Sequence, residues 1–253
     1  MNLIADTHTH TLASTHAYST LQEMVRAAAQ RRLYAVAITD HGRRMPGAPG
    51  AWYFVNLTVV PRTLEGVLVL RGQEADVVDF DGSLDLEDRD AESLDWIVAS
   101  MHQPVLRDAF PHPPTPEAVT AAWLGVAKNP KVNVIGHCGT GEYRFDYERV
   151  LPEFGREGKL VELNEATFTG RPASVPNCVR IMKLCKKLGV PVVVDSDAHF
   201  SAGVGRFGRS LKLLEEIDFP EELVVNSSVA RFQSYLRQYT DVFRKSESDS
   251  SRG

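Results

Sequence analysis

Seven short aliphatic runs recur along this chain, and each opens onto a histidine or an acidic residue within a few positions. The runs cover residues 3–5, 35–39, 67–70, 96–99, 132–135, 160–163 and 190–194. Most show no polar alternation, which is the pattern of strands covered on both faces. Amphipathic segments separate several of them. Residues 20–31 place Leu21, Met24, Val25 and Ala28 on one helical stripe. Residues 116–127 start at Pro116, where a missing N–H costs nothing. Residues 177–188 carry Cys178, Ile181, Met182 and Cys185 at helical spacing and stop at Gly189. Segments 209–217 and 228–239 are further helix candidates. Strands alternating with helices imply a parallel sheet. Seven strands fit a closed, distorted α/β barrel better than an open sheet.

One domain is expected over residues 1–244. Residues 75–95 are acidic and irregular and are expected to hold a small hairpin around Asp81-Gly82. Residues 245–253 are polar and low in complexity, so a disordered tail is expected.

The position of the polar residues carries the chemistry. The first run leads into Asp6-Thr7-His8-Thr9-His10 and then His16, and the second into Asp40-His41. The third leads to Glu74, the fourth to His102, the fifth to His137, and the seventh to Asp195-Ser196-Asp197-Ala198-His199. In a parallel barrel all these strand ends lie on one face, where active sites are built. His8 and His10, at i and i+2 on extended chain, point to one side. Imidazoles with carboxylates suit divalent transition metals. Nine candidates exceed the three or four ligands that one zinc takes, so three metals are expected. His112, in His112-Pro113-Pro114, stands apart and reads as a surface residue.

Composition excludes other classes. The net charge is −5 with no basic stripe, which speaks against long nucleic acids. No signal peptide and no transmembrane run is read. Three cysteines without CxxC spacing give neither a disulfide framework nor a zinc ribbon, so a reducing cytoplasm is expected. Gly203-Val204-Gly205-Arg206-Phe207-Gly208 matches a dinucleotide pattern, but it follows a metal-type motif and not a strand. That reading is rejected, although phosphate at the start of the next helix stays open.

The motifs Asp6-Thr7-His8-Thr9-His10, Thr39-Asp40-His41-Gly42, Arg71-Gly72-Gln73-Glu74, Met101-His102, Gly136-His137 and Asp195-Ser196-Asp197-Ala198-His199 resemble those of the PHP (polymerase and histidinol phosphatase) family. The resemblance spans about residues 1 to 235 and is nearest to the stand-alone bacterial phosphatases. It implies a distorted, TIM-like (β/α)7 barrel and three divalent metals, zinc first, with manganese or iron as alternatives. It places His8, His10, Glu74 and Asp197 on one metal. Glu74, His102 and His137 take the second, and His16, His41 and His199 the third. One departure is visible: Cys138 stands where the family often has proline, which puts the loop shape in doubt.

The implied reaction is hydrolysis of a small phosphomonoester by a metal-bridging hydroxide held through Glu74 and Asp197. Asp6, Asp40 and Asp195 are candidates to orient imidazoles from behind. Arg43, Arg171 and Arg206 are candidates to bind substrate phosphate. A homo-oligomer is possible and not readable. Three other readings stay open. They are an amidohydrolase, a phosphoesterase trimming nucleotides or nucleic-acid ends, and a non-catalytic metal-binding protein.

Overall fold

A computed structural model describes residues 1–107 and 114–244. His112 and the expected tail at 245–253 lie outside the described residues. The strands are β1 (Ala5–Asp6), β2 (Ala35–Ile38), β3 (Thr63–Leu64), β4 (Val67–Asp76), β5 (Trp96–Ser100), β6 (Val134–Ile135), β7 (Leu160–Asn164) and β8 (Val192–Asp195). Seven run parallel in the order β1-β2-β4-β5-β6-β7-β8, and β3 pairs antiparallel with β4 off that path. The sheet curls into a nearly closed barrel with helices around it, as the strand–helix alternation requires. Among the described residues no helix is long and apolar enough to cross a membrane.

The longer helices are α1 (Leu21–Gln30), α2 (Pro116–Ala127), α3 (Tyr147–Arg156), α4 (Val175–Leu188), α5 (Gly208–Glu216) and α6 (Val229–Tyr239). A capping box starts α1: Thr20 accepts from the Glu23 amide, and the Glu23 carboxylate accepts from the Thr20 amide at 2.7 Å. Gly189, at φ +68°, ends α4 in the left-handed region. Sequence reading missed α3, which Asp146 caps and which contains Pro152. The acidic stretch holds the expected hairpin, with Val77 bridged to Leu84 and Gly82 at φ +83°, but it also forms a short helix at Asp88–Ser93 that was not expected. The hairpin lies so close to α2 that a Cβ on Gly125 would sit 1.7 Å from the Asp81 carbonyl oxygen.

Strand alternation sorts the barrel into two halves. Inward-facing Ala5, Ala35, Ala37, Leu70, Val98, Val134, Leu160 and Val193 form one apolar cluster. Trp96, Phe232 and Tyr235 close its lower end, with α6 lying across the bottom. Continuing upward at period two, the same strands present Glu74 and Asp76 from β4, Ser100 from β5, Glu162 and Asn164 from β7, and Asp195 from β8. All are buried. The polar half of the interior is therefore at the C-terminal strand ends, and the apolar half stabilises the fold beneath it.

The seam between β1 and β8 is not a regular ladder. Buried Asn226 fills it: its Oδ1 accepts from the Val194 amide at 3.1 Å, and its Nδ2 donates to the Ala5 and Val194 carbonyls at 2.9 and 2.7 Å. Higher up, two acids exchange partners. Asp195 accepts from the Thr7 amide and hydroxyl, and Asp6 accepts from the Ser196 amide and hydroxyl. Replacing Asn226 with leucine would orphan a buried amide and two buried carbonyls. We predict a loss of about 2–4 kcal/mol in denaturant unfolding. Unchanged stability would show that the seam is held elsewhere.

Candidate metal centre

All nine residues singled out as ligands converge at the upper mouth of the barrel. Glu74 is their hub, and it belongs to the upper part of β4, which runs past the 67–70 expectation. Its Oε1 lies 3.3 Å from His8 Nε2, 3.5 Å from His102 Nε2 and 3.0 Å from His137 Nε2. Its Oε2 lies 3.4 Å from His10 Nε2 and 2.9 Å from His41 Nδ1. Asp197 Oδ1 faces His8 Nε2 at 3.7 Å and His10 Nε2 at 3.3 Å. His16 completes the far side, its Nε2 lying 2.9 Å from His199 Nε2 and 3.3 Å from His41 Nε2. His137 and Asp197 hold left-handed backbone, at φ +25° and +54°. Such strain in residues other than glycine is typical of functional sites.

The residues behind the imidazoles fix their tautomers. His8 Nδ1 donates to Glu162 Oε1 at 2.7 Å, and His102 Nδ1 to Asp76 Oδ1 at 2.8 Å. The Ser14 hydroxyl donates to Asp40, so it accepts from His10 Nδ1, 3.3 Å away. His199 Nδ1 donates to the Asp197 carbonyl at 3.0 Å. In each neutral ring the proton therefore sits on Nδ1 and the Nε2 lone pair points into the site. Glu162 also holds the second ligand loop, its Oε2 accepting from the His137 amide at 2.6 Å and from Asn164 Nδ2 at 3.2 Å.

Electrostatics show what the cluster lacks. Burial opposes charge on Glu74, yet the imidazoles around it hold its carboxyl well below the ordinary range. Asp197 is held down in the same way against its own burial. Burial would discharge His8, but Glu162, Glu74 and Asp197 raise it well above the usual value. Burial is likewise overcome at His102, which Glu74 and Asp76 push up to about 9. His10, which burial and His41 push well down, stays neutral beside them. His8 Nε2, His10 Nε2 and His41 Nδ1 are buried and make no hydrogen bond. Buried ring nitrogens left without a hydrogen bond beside two carboxylates are what a cation site requires. Among the described residues, three groups have donor atoms within 4.8 Å of one another: His8, His10 and Asp197; His10, His41 and His199; His41, Glu74 and His102.

Several sequence expectations are corrected. Asp6 and Asp195 bind loop amides and hydroxyls and touch no imidazole, and Asp40 reaches His10 only through Ser14. The direct orienting acids are Glu162 and Asp76, which the sequence reading missed. Of the three arginines, Arg171 alone lines the cavity above the cluster, a space of about 360 Å³. Its guanidinium lies 3.4 Å from Asp197 Oδ2 and 3.4 Å from Asn164 Oδ1. Arg43 is committed to Glu87 and Asp90, and Arg206 is exposed away from the cavity. The start of α5 is no phosphate site either. The Glu165 carboxylate already accepts from the Arg209 amide at 3.0 Å and the Ser210 amide at 2.8 Å. Cys138 is buried with the apolar outer core, and burial pushes its thiol well up, so it stays neutral and out of the donor set.

Fold and site together define a (β/α) barrel with a cluster of histidines and carboxylates at its C-terminal mouth that could hold metal ions. The PHP domain family model matches residues 6–166. A protein of Acetivibrio thermocellus named "Probable phosphatase" is 44% identical over 97% of this chain and all of its own length. Solved structures that share the fold include these two. One is the histidinol phosphate phosphatase of Lactococcus lactis subsp. lactis, complexed with zinc, L-histidinol and phosphate (TM-score 0.60, 15% identity, covering 87% of this chain and 95% of that one). The other is a putative histidinol phosphatase of Listeria monocytogenes (TM-score 0.57, 18% identity, covering 81% and 99%). The chain belongs to the PHP (polymerase and histidinol phosphatase) domain family.

Two outcomes are expected. Glu162→Gln weakens the grip on His8 and should lower divalent-metal affinity about 10–100-fold while the fold survives. Titration with zinc against a competing chelator reads this, and equal affinity would remove Glu162 from its role. The second concerns protons. The raised His8 and His102 carry protons at pH 7.5 in metal-stripped protein, and cation binding must displace them. Zinc binding should therefore release protons at pH 7.5 and fewer at pH 9.5. Calorimetry in buffers of different ionisation enthalpy measures the release, and none at pH 7.5 would contradict it.

Proposed function

We propose that this chain is a metal-dependent phosphatase that hydrolyses a small phosphomonoester at a trinuclear centre. The observation that carries the reading is the convergence of nine nitrogen and carboxylate ligands beneath a cavity whose remaining charged residue is Arg171. His8, His10, Glu74 and Asp197 would hold one ion. Glu74, His102 and His137 would hold the second, and His16, His41 and His199 the third. The donor set suits zinc, and manganese or iron equally in type. The zinc and phosphate described in the Lactococcus lactis structure, and the name borne by the Acetivibrio relative, support the same reading.

Bound divalent ions supply a water of lowered pKa and neutralise charge on the phosphoryl oxygens. The protein supplies position. Glu74 and Asp197 bring two formal negative charges to a buried site. Glu162, Asp76 and Ser14 hold the imidazoles with their lone pairs inward. Arg171 lines the cavity with its side chain part-exposed, so the guanidinium has N–H groups to offer a phosphoryl oxygen. Asn164 and Thr167 brace it from the side.

Metal-stripped protein, reloaded in turn with zinc, manganese or iron, should release phosphate from a panel of phosphomonoesters. Asp197→Ala and His102→Ala should lose at least about 100-fold in turnover, exceeding the loss seen at outer partners. Arg171→Ala should cost about 10²–10³ in kcat/KM. Full activity in either ligand variant under saturating metal would defeat the assignment.

A further inference from the structure

The cavity above the cluster also states what kind of alcohol leaves. Apart from candidate ligands it is lined by Met45, Pro46, Pro104 and Arg171. Among the described lining residues the carboxylates are Glu74 and Asp197 alone. Both are spent: Glu74 faces five imidazoles, and Asp197 faces His8, His10 and Arg171. None of the described lining side chains offers a free negative charge to a cation, and the uncharged part of the lining is a thioether and two pyrrolidine rings. Two exposed aromatic residues also neighbour ligand positions in the chain. Tyr18 and Phe200 are 71% and 54% exposed, and the Tyr18 amide donates to the His199 carbonyl at 2.9 Å. These residues flank the segments that carry His16 and His199.

Resting on the phosphatase reading above, we propose that the substrate is the phosphate monoester of an uncharged alcohol with an apolar body, and that an ammonium-bearing alcohol is rejected. An ammonium group would leave water for a site without a free carboxylate and beside a guanidinium. Desolvation and like-charge repulsion both oppose it. An apolar body instead buries against Met45, Pro46 and Pro104 and gains from leaving water. Selectivity thus comes from the missing acid as much as from the apolar wall.

A matched pair tests this: 4-methylbenzyl phosphate against 4-(aminomethyl)benzyl phosphate, with the corresponding phosphonates as non-hydrolysable probes in calorimetry. The neutral ester should have the higher kcat/KM by about tenfold or more, and the neutral phosphonate should bind tighter by a similar factor. Pro104→Glu places a carboxylate on the wall at an exposed first-turn position of a short helix, where an acid is tolerated. It should shrink the gap about tenfold, mainly through KM. Equal or better use of the ammonium ester by the natural protein would overturn the proposal, and so would a gap indifferent to Pro104→Glu. If neither ester is cleaved with any metal, the phosphatase reading falls. The phosphonate pair then still decides the pocket's preference.

Discussion

The carboxylate of Glu74, buried and encircled by five imidazoles, is the interaction on which the upper half of this protein turns. A carboxylate in that position is costly unless positive charge meets it. The rings cannot all supply that charge, because protonated neighbours repel one another, as the depressed His10 and His16 show. Burial is the larger cause at both. Neutral rings leave their lone pairs turned inward with nothing to bind. The proposed divalent ions resolve both problems, since each lone pair and each carboxylate oxygen becomes a donor to a cation.

The protein's own hydrogen bonds and backbone build that arrangement. Glu162, Asp76 and the Ser14–Asp40 pair fix ring orientation, and left-handed backbone at His137 and Asp197 aims two ligands. The seam of the barrel matters for the same reason. His8 and His10 follow the first strand, and Asp197 and His199 follow the last. They meet only because Asn226 and the exchanged partners of Asp6 and Asp195 draw those two strands together. The Thr9–Ala198 bridge and the His10 amide bond to the Ala198 carbonyl, at 2.9 Å, continue the seam into the site. Closure of the fold and assembly of the ligand set are thus one event.

Much of this was legible in the sequence because ligands must sit at strand ends, and aliphatic runs mark strands. The helices read well where apolar spacing was clean, as in α1 and α4. The α3 helix was lost to Pro152 and Gly155, although Tyr147, Val150, Leu151 and Phe154 carry its stripe. Glu162 and Asp76 were overlooked for a different reason. Inside a barrel a strand stays apolar below and turns polar above, so one acid in Leu160-Val161-Glu162-Leu163-Asn164 is the sign of an inward-facing polar layer. Arg43 misled because its partners, Glu87 and Asp90, come from the acidic stretch after β4, whose path no local pattern revealed.

The same accounting of charge explains why a phosphoryl group suits this mouth. Every carboxylate at the site is engaged by imidazoles, amides or Arg171, while Arg171 keeps a buried Nε donor without a partner. Once cations satisfy Glu74 and Asp197, the excess charge at the surface of the cluster is positive, and Arg171 lines the same cavity. An anion with several oxygens can meet metals and guanidinium together, which a neutral amide or ester carbonyl cannot do. The geometry therefore favours phosphoryl transfer to water over the acyl chemistry of an amidohydrolase built on a similar barrel.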